Sequence, residues 1–372
     1  MKLVPQSSPY IRKPVSVKRM MLDVVIALLP VTIFAMIQNG WSSIYVILIS
    51  ILTMIGFELL CHMFIKWPKG MKFKELFTKE GFAKVKENYT INNILAPLIS
   101  AIIYAMIMPA GCNGYVVFAG AAFGIIIGKM VFGGLGANIF NPAAVGRIFN
   151  AICFGNFLKD SYATQSAYSV TVGATPLGAT KTAEGLFLSN PNQYSIVDLL
   201  IGNHPGSMGE VCILCILAGG IYLFIRRSAD IRAFLGYIIT FMGLMFIACL
   251  SFYSKYKDAN IMEMFAIQLF AGGAIFAAVF MVTDPVTSPT SKFGRFAFGA
   301  IAGAITVLIR IVGSYPEGAA FSILIANMMA PCIDYFMRGM PNKYTWKQMV
   351  GYLVIFAILG CVISASVMGG WF

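Results

Sequence analysis

The sequence predicts an all-α polytopic membrane protein with about ten or eleven transmembrane helices. Of its 372 residues, 59% are hydrophobic and only 11% are charged, and the mean hydropathy is +0.80. A soluble domain carries roughly 25% charged residues, so this composition excludes a water-soluble globule. A membrane-spanning helix needs about 20 apolar residues, and this length sets the expected number of helices.

Apolar runs of membrane length follow one another along the chain. Backbone groups in lipid must be hydrogen-bonded within their own segment, so each run is expected to be a helix. The fifth run is short and is expected to be a broken helix or a half helix. The runs cover residues 21–38, 43–65, 91–109, 115–132, 143–158, 208–225, 233–252, 264–282, 296–313, 320–337 and 349–368.

The basic residues predict the orientation of these helices. Most of the 27 Lys and Arg residues fall in loops that lie on one side of the membrane if the N-terminus is cytoplasmic. Arg147 is counted among these loop residues. Cytoplasmic loops of membrane proteins are enriched in Lys and Arg, so the net charge of +12 indicates orientation and not nucleic-acid binding.

The predicted topology divides the chain into five parts, and two stretches indicate inverted repeats. "INNILAPLI" (Ile91–Ile99) resembles "IANMMAPCI" (Ile325–Ile333), and the topology runs them in opposite directions. The five parts are a cytoplasmic tail (1–20), a first helix bundle (21–158) with a basic cytoplasmic loop (66–90), an extracytoplasmic loop (159–207), a second bundle (208–337) and an extra C-terminal transmembrane segment (338–372).

The ionisable residues do not form a hydrolytic constellation. Glu58 and His62 lie four residues apart on one helix face, which indicates either a proton or cation relay or, with greater weight, a histidine at the membrane interface. Glu210, Asp284 and Asp334 fall at the ends of runs, where a role at a helix terminus is expected. Neither a metal site nor a catalytic side chain is predicted.

The motif "VGATPL" (Val172–Leu177) in the long extracytoplasmic loop carries a resemblance to a known family. It resembles the flavinylation motif of the D subunit of the Rnf complex and of its relative, the B subunit of the Na⁺-translocating NADH:quinone oxidoreductase. The resemblance covers nearly the whole chain. Further blocks that resemble this family are Ser7–Pro30, Gly128–Arg147, Gly202–Val211, Met281–Arg295 and Leu308–Phe336.

The resemblance implies an FMN joined to Thr175 through a phosphoester bond. Gly173 and Ala174 are small and leave the hydroxyl accessible, while the proline that follows favours an extended backbone at Thr175. The motif departs from the family at Val172, where Ser or Thr is usual. A second "GAT" ends at Thr180, which remains an alternative attachment site.

The resemblance also implies a second flavin, a noncovalently bound riboflavin. Its expected site is the stretch Gly133–Arg147, where Asn138 and Asn141 offer amide hydrogen bonds to the ring edge. Arg147 is the third side chain predicted to contact a cofactor in this stretch. Relatives commonly end after a tenth span, whereas here Trp346–Phe372 adds an eleventh.

The function implied by the resemblance is that of a flavin-carrying subunit of a ferredoxin:NAD⁺ oxidoreductase that translocates Na⁺ or H⁺. The expected location is the cytoplasmic membrane of a bacterium, and the expected partners are the FMN-carrying G subunit and the C, A and E subunits. The alternatives are the B subunit of the quinone-reducing relative, a passive channel or transporter, and a structural scaffold. The channel or transporter leaves the motif at Val172–Leu177 unexplained, and in the scaffold the loop is merely a spacer.

Overall fold

The computed structural model describes residues 16–65, 89–163, 177, 195–255, 261–313, 317–337 and 345–369. Over these residues the regular structure is helical and contains no strand. Thr175, its neighbours Gly173 and Ala174, Thr180 and most of the basic loop 66–90 lie outside the described residues.

The helices of the first half follow the predicted apolar runs. α4 continues directly into a π-helix, π1, and the fifth run is divided at Phe154 into two short helices. In chain order they are α1 (Val17–Asn39), α2 (Trp41–Ile65), α3 (Ile91–Met106), α4 (Gly114–Ile125), π1 (Ile126–Met130), α5 (Pro142–Cys153) and α6 (Gly155–Ala163).

The second half also follows the runs, and its third long segment is broken. A second π-helix, π2, follows the short helix α11. The elements are α7 (Ile196–Ile201), α8 (Ile213–Arg226), α9 (Ile231–Lys255), α10 (Ile261–Phe270), α11 (Ala274–Phe276), π2 (Ala277–Met281), α12 (Lys292–Ile311), α13 (Ala319–Phe336) and α14 (Trp346–Gly369).

The lengths of these helices make the chain a multi-pass membrane protein. Six of them are long and apolar enough to cross a bilayer: α1, α2, α9, α12, α13 and α14. α10 and the segment Ala274–Met281 are bent by 52° at a short break and together form a seventh candidate span. Three shorter apolar helices accompany them. The all-α polytopic fold is therefore confirmed, whereas the side of the N-terminus and the inverted repeats stay predictions.

Glycines bring the helices of each half into close contact. A Cβ atom at Gly299 of α12 would collide with the Ala233 carbonyl of α9, and one at Gly236 with the Phe296 carbonyl of α12. In the first half, a Cβ at Gly146 of α5 would lie 2.5 Å from the Gly120 carbonyl oxygen of α4. Lipid provides no hydrophobic drive between helices, so close backbone packing at small residues holds such pairs together.

The C-terminal helix α14 packs against α9 through polar and aromatic contacts. The hydroxyls of Thr240 and Tyr352 lie 2.9 Å apart, and Ser251 donates to Ser364 at 2.9 Å. The ring of Phe356 lies against Gly243, which has no side chain to block it. α14 is therefore a packed part of the bundle.

Polar contacts fix the turn that precedes α12. The Arg295 guanidinium donates to Asp230 at 2.6 Å and to the Pro289 carbonyl at 2.9 Å. Asp334 accepts from both the amide and the hydroxyl of Thr290, at 2.9 and 3.0 Å. This turn is thereby joined to α9 and α13.

The Asp230 carboxyl predicts a pH dependence of stability. Burial raises its pKa, but hydrogen bonds from the Arg232 amide and the Arg295 guanidinium outweigh burial and hold the pKa below its ordinary value of 3.8. Its stabilising effect is therefore complete above about pH 4 and is lost as the pH falls through the depressed pKa. Asp230→Asn is expected to lower the free energy of unfolding by about 1 kcal/mol at neutral pH, after allowance for solvent screening, and by less near pH 3. Thermal unfolding in detergent across this pH range measures the effect; an equal loss at both ends would contradict it.

Candidate functional site

Two groups of buried ionisable residues lie where helices of the bundle are interrupted. The first is the Glu58–Lys129 pair, which joins α2 to π1. The Lys129 ammonium donates to the Glu58 carboxylate at 2.5 Å, and each side chain is only 3% exposed. An ion pair at this depth is costly to desolvate and is retained only when both charges are matched. The structure therefore gives Glu58 a partner other than His62, whose ring packs edge-on against Tyr89.

A second interrupted helix approaches the same pair. Asp284 lies in the turn after π2 and is close enough to Lys129 for their charges to interact. Its carboxylate accepts from the Val286 amide at 3.1 Å and from the Thr287 hydroxyl at 3.3 Å. Single-turn π-helices are rare and occur frequently at functional sites. Lys129 lies within π1, and Asp284 lies in the turn that follows π2.

The stretch predicted to hold a second flavin, Gly133–Arg147, forms the turn between π1 and α5 together with the first half of α5. Gly133, Gly134 and Gly136 have positive φ angles of 115°, 88° and 81°, a backbone conformation that favours glycine. The Asn138 side-chain amide donates to the Phe140 carbonyl at 3.1 Å. The Asn141 side-chain oxygen caps α5 by accepting from the Ala143 amide at 3.0 Å. Both side chains thus stabilise the backbone close to them in sequence. Their contact with a flavin stays a prediction.

Arg147 lies inside α5, so the expectation that it belongs to a loop was wrong. The cap at Asn141 and the proline that follows begin the helix well before Arg147. The side chain is 13% exposed, and its guanidinium lies 3.6 Å from the Glu317 carboxylate. Arg147 therefore faces the start of α13.

The second group is the Glu210–Arg310 cluster, which consists of Glu210, Arg310, Glu317, Arg147 and Gln268. It surrounds the break between α10 and α11, where the Glu210 carboxylate lies directly against Gly273. The Arg310 guanidinium donates to the Gln268 carbonyl at 2.5 Å and lies 5.1 Å from the centre of the Phe241 ring. Glu317 and both arginines are close enough to act on the charge of Glu210.

Several polar atoms of this cluster have no hydrogen-bond partner within the described part of the chain. They are Oε2 of Glu210, Nε and Nη2 of Arg310, and the side-chain oxygen of Gln268. Buried polar atoms are nearly always matched by protein, water or a bound group, and leaving them unmatched is costly. The cluster therefore has unused donors and acceptors for a polar ligand.

The last residue of the predicted motif lies against this cluster. Leu177 is 3% exposed and packs with Leu199 and Ala271. Its Cδ1 atom and the Nη2 atom of Arg310 both lie within 3.2 Å of the position that a Cβ atom at Gly272 would occupy. Leu177 therefore lies next to the Glu210–Arg310 cluster.

Glu210, Lys129 and Arg310 take part in more contacts in the structure than the sequence alone predicts. Glu210 was expected to have a role at a helix terminus, and Lys129 and Arg310 fall near the ends of predicted spans. A signal was present, because a charge inside an apolar run is itself a functional indication. What the sequence lacked was the partner of each charge.

These features define a class of protein: a multi-pass all-α membrane protein with buried charges at broken helices, as is typical of ion-coupled membrane proteins. The chain belongs to the NQR2, RnfD, RnfE family, which it matches over residues 4–345. α14 begins immediately after the matched residues.

Two kinds of name occur among the curated relatives that the chain matches. The chain is 29% identical to the D subunit of an ion-translocating oxidoreductase complex of Halorhodospira halophila, over 91% of this chain and 94% of the relative. The corresponding D subunit of Stutzerimonas stutzeri is also 29% identical and is covered over 92% of its length. The chain is 36% identical to the B subunit of a Na⁺-translocating NADH-quinone reductase of Chromohalobacter salexigens, but it spans only 64% of that relative. These names indicate a subunit of an ion-translocating oxidoreductase complex.

Proposed function

We propose that the chain is the flavin-carrying membrane subunit of an Rnf-type ferredoxin:NAD⁺ oxidoreductase, and that it couples electron transfer to the translocation of Na⁺ or H⁺. The observation that carries this proposal is the coverage of the relatives. The D subunit of Halorhodospira halophila is matched over 94% of its length, and the B subunit of Chromohalobacter salexigens over 64%. The proposed partners are the G, C, A and E subunits, and the proposed location is the bacterial cytoplasmic membrane.

The proposed cofactor is an FMN on Thr175, on the extracytoplasmic face. Thr175 would hold the FMN through a phosphoester bond to its side-chain oxygen. Support comes from the motif at Val172–Leu177 and from the buried contact of Leu177 beside unmatched polar atoms. When bound, the flavin supplies the electron-transfer chemistry.

The role of this chain's own residues is to hold the cofactor and the charges around it. Leu177 fixes the end of the motif to the bundle, and the Glu210–Arg310 cluster provides a buried polar environment next to Leu177. Ion translocation requires a coupling free energy between the redox site and an ion site. The Glu58–Lys129 pair and Asp284, at interrupted helices, are the charges that we propose respond to the redox state. A second flavin at Gly133–Arg147 remains part of the proposal.

In-gel fluorescence tests the covalent flavin. The wild-type chain, coexpressed with a flavin transferase, is expected to fluoresce on a denaturing gel, and Thr175→Val is expected to lose essentially all of this signal because no hydroxyl remains to form the ester. Thr180→Val is the matched control and is expected to fluoresce like the wild type. A dark wild-type band would contradict the proposed cofactor, and a bright Thr175→Val band with a dark Thr180→Val band would move the attachment to Thr180.

The higher identity to the B subunit, at 36%, favours a second candidate function, a subunit of a quinone-reducing Na⁺ pump. The two functions differ in the electron partner. The complex purified through a tag on this chain is expected to transfer electrons from reduced ferredoxin to NAD⁺ or from NADH to oxidised ferredoxin. Quinone-dependent NADH oxidation without a ferredoxin reaction would favour the second candidate.

A further inference from the structure

Two cysteines three residues apart lie at the start of α8, in the order Cys-x-x-Cys. Cys212 is the residue that precedes the helix, and Cys215 lies in its first turn. Both thiols are free, and a hydrogen bond joins the two side chains. The Cys-x-x-Cys spacing is the one that redox-active cysteine pairs use.

The backbone at the start of α8 suits a disulfide bond. Residues three apart in an α-helix have Cα atoms about 5 Å apart, inside the range of about 4.4–6.8 Å that a disulfide spans. Cys212 has extended backbone angles, with a φ of −93° and a ψ of 94°, so its side chain is not held in the helical array. The two sulfur atoms therefore meet after side-chain rotation alone, without movement of α8.

The chain that leads into Cys212 is fixed to the rest of the bundle. The Gly209 amide donates to the Met106 carbonyl at 2.7 Å. The Met208 amide donates to the Met108 carbonyl at 3.1 Å. A Cβ atom at Gly209 would collide with the Met106 side chain, so the two segments touch directly. The contact between the two thiols is thus set by ordered structure on both sides of the pair.

The pair lies at the end of α8 where an oxidant is expected. The predicted topology places the start of this helix on the extracytoplasmic side, and disulfides persist in extracytoplasmic compartments. Cys215 is partly exposed, whereas Cys212 is only 4% exposed. An incoming oxidant therefore meets Cys215 first, and Cys212 completes the reaction.

We propose that Cys212 and Cys215 are a site of disulfide formation. The oxidant is a disulfide-bearing thiol oxidant of the extracytoplasmic space. The Cys215 thiolate bonds to one sulfur of that disulfide, whose S–S bond breaks and releases one thiolate. The Cys212 thiolate then bonds to the Cys215 sulfur and displaces the second thiolate. The pair loses two electrons, the oxidant gains them, and the two thiol protons pass to the released thiolates.

The bridge lies next to the Glu210–Arg310 cluster. Glu210 is two residues before Cys212, and its carboxylate packs against Gly273 at the break between α10 and α11. A disulfide across the first turn of α8 restrains the backbone that carries Glu210, and so helps to hold one buried charge of the cluster in place. This inference does not rest on the proposed electron-transfer function.

Reaction with dithiodipyridine, a small disulfide, tests the pair in the full-length chain in detergent, after reduction and removal of the reductant. This reagent leaves a thiopyridyl group on a lone cysteine. The proteolytic peptide that contains Cys212 and Cys215 is expected to lose two hydrogen atoms and to carry no thiopyridyl group, as measured by mass spectrometry. Cys332 is the control within the same sample: it is exposed, no other cysteine lies in α13, and it is expected to keep its thiopyridyl group.

Single variants distinguish a bridge from ordinary thiol modification. Cys212→Ser is expected to keep a thiopyridyl group on Cys215, because no second thiol displaces it. Cys215→Ser is expected to react more slowly, because the remaining thiol of Cys212 is the more deeply buried. Dithiothreitol under denaturing conditions is expected to restore both thiols of the wild-type peptide.

Three results would overturn the inference, and all of them use the wild-type chain, so they hold even if a variant fails to fold. A peptide that keeps one or two thiopyridyl groups would show that the sulfur atoms do not meet. A peptide with both thiols unmodified, while Cys332 has reacted, would show that no oxidant reaches them. Complete alkylation of Cys212 and Cys215 in acid-quenched native membranes, without prior reduction, would show that the bridge does not form in the cell.

Discussion

Lys129→Met is expected to lower the free energy of unfolding by about 3–5 kcal/mol, because it leaves the Glu58 carboxylate buried without its partner. Both side chains of the pair are 3% exposed, so water cannot replace the lost contact. The effect is measured as a fall in the apparent stability of the full chain in detergent, by thermal or denaturant unfolding.

The double variant Glu58→Gln/Lys129→Met distinguishes a lost partner from a lost packing contact. Removing both charges also removes the desolvation cost, so the double variant is expected to be more stable than Lys129→Met alone. Arg226→Met is the matched control: Arg226 is 37% exposed, and its partner Asp23 keeps the hydrogen bonds from Tyr222 and Ser228, so this loss is expected to be clearly smaller than that in Lys129→Met. Equal losses in Lys129→Met and Arg226→Met would contradict the buried-pair interpretation.

Gly299→Ala is expected to destabilise the protein by about 3 kcal/mol, since the added methyl group has no space between α9 and α12. Its Cβ would collide with the Ala233 carbonyl oxygen and would lie 2.9 Å from the Tyr237 nitrogen, both of which belong to the backbone of α9. Backbone atoms cannot move aside as a flexible side chain can, so the two helices must separate. Thermal unfolding in detergent and the yield of monodisperse protein measure the loss.

Gly56→Ala in α2 is the control for this change. No atom lies within 4 Å of a Cβ atom at Gly56, so the same substitution meets no obstacle there. Alanine is the better helix former by about 1 kcal/mol, and Gly56→Ala is therefore expected to be neutral or mildly stabilising. Loss of stability in both variants would contradict close helix packing as the cause.

The all-α fold could be predicted because hydropathy is a local property of the sequence. The run 233–252 corresponds to α9 (Ile231–Lys255), and the run 349–368 corresponds to α14 (Trp346–Gly369). Each run must be helical in lipid whatever its neighbours are, so no tertiary information was needed.

The breaks in the helices could not be predicted in the same way. The run 264–282 is continuous in hydropathy, yet the structure bends it by 52° between α10 and α11 and widens its end into π2. The bend lies where Glu210 packs against Gly273, and this contact depends on another part of the chain. Arg147 was assigned to a loop for a related reason: the basic-residue count took precedence over the cap at Asn141, which places Arg147 within α5.

The candidate site was only partly visible in the sequence. Thr175 follows from a short contiguous motif, whereas Glu58 and Lys129 are separated by 71 positions and Glu210 and Arg310 by a still longer stretch. A single sequence shows that a charged residue lies in an apolar run. It does not show which other charged residue contacts it in the fold. The structure supplied these partners and brought Leu177, the end of the motif, to Arg310.

The most direct test of the central claim is the mass of the proteolytic peptide that contains Thr175, taken from the complex purified from its native membrane. A covalent flavin predicts a peptide heavier than its sequence mass by one FMN less one water, with the fragment ions placing the added mass on Thr175. Thr175 recovered only in its unmodified form, in a complex that is active and otherwise intact, would contradict the account.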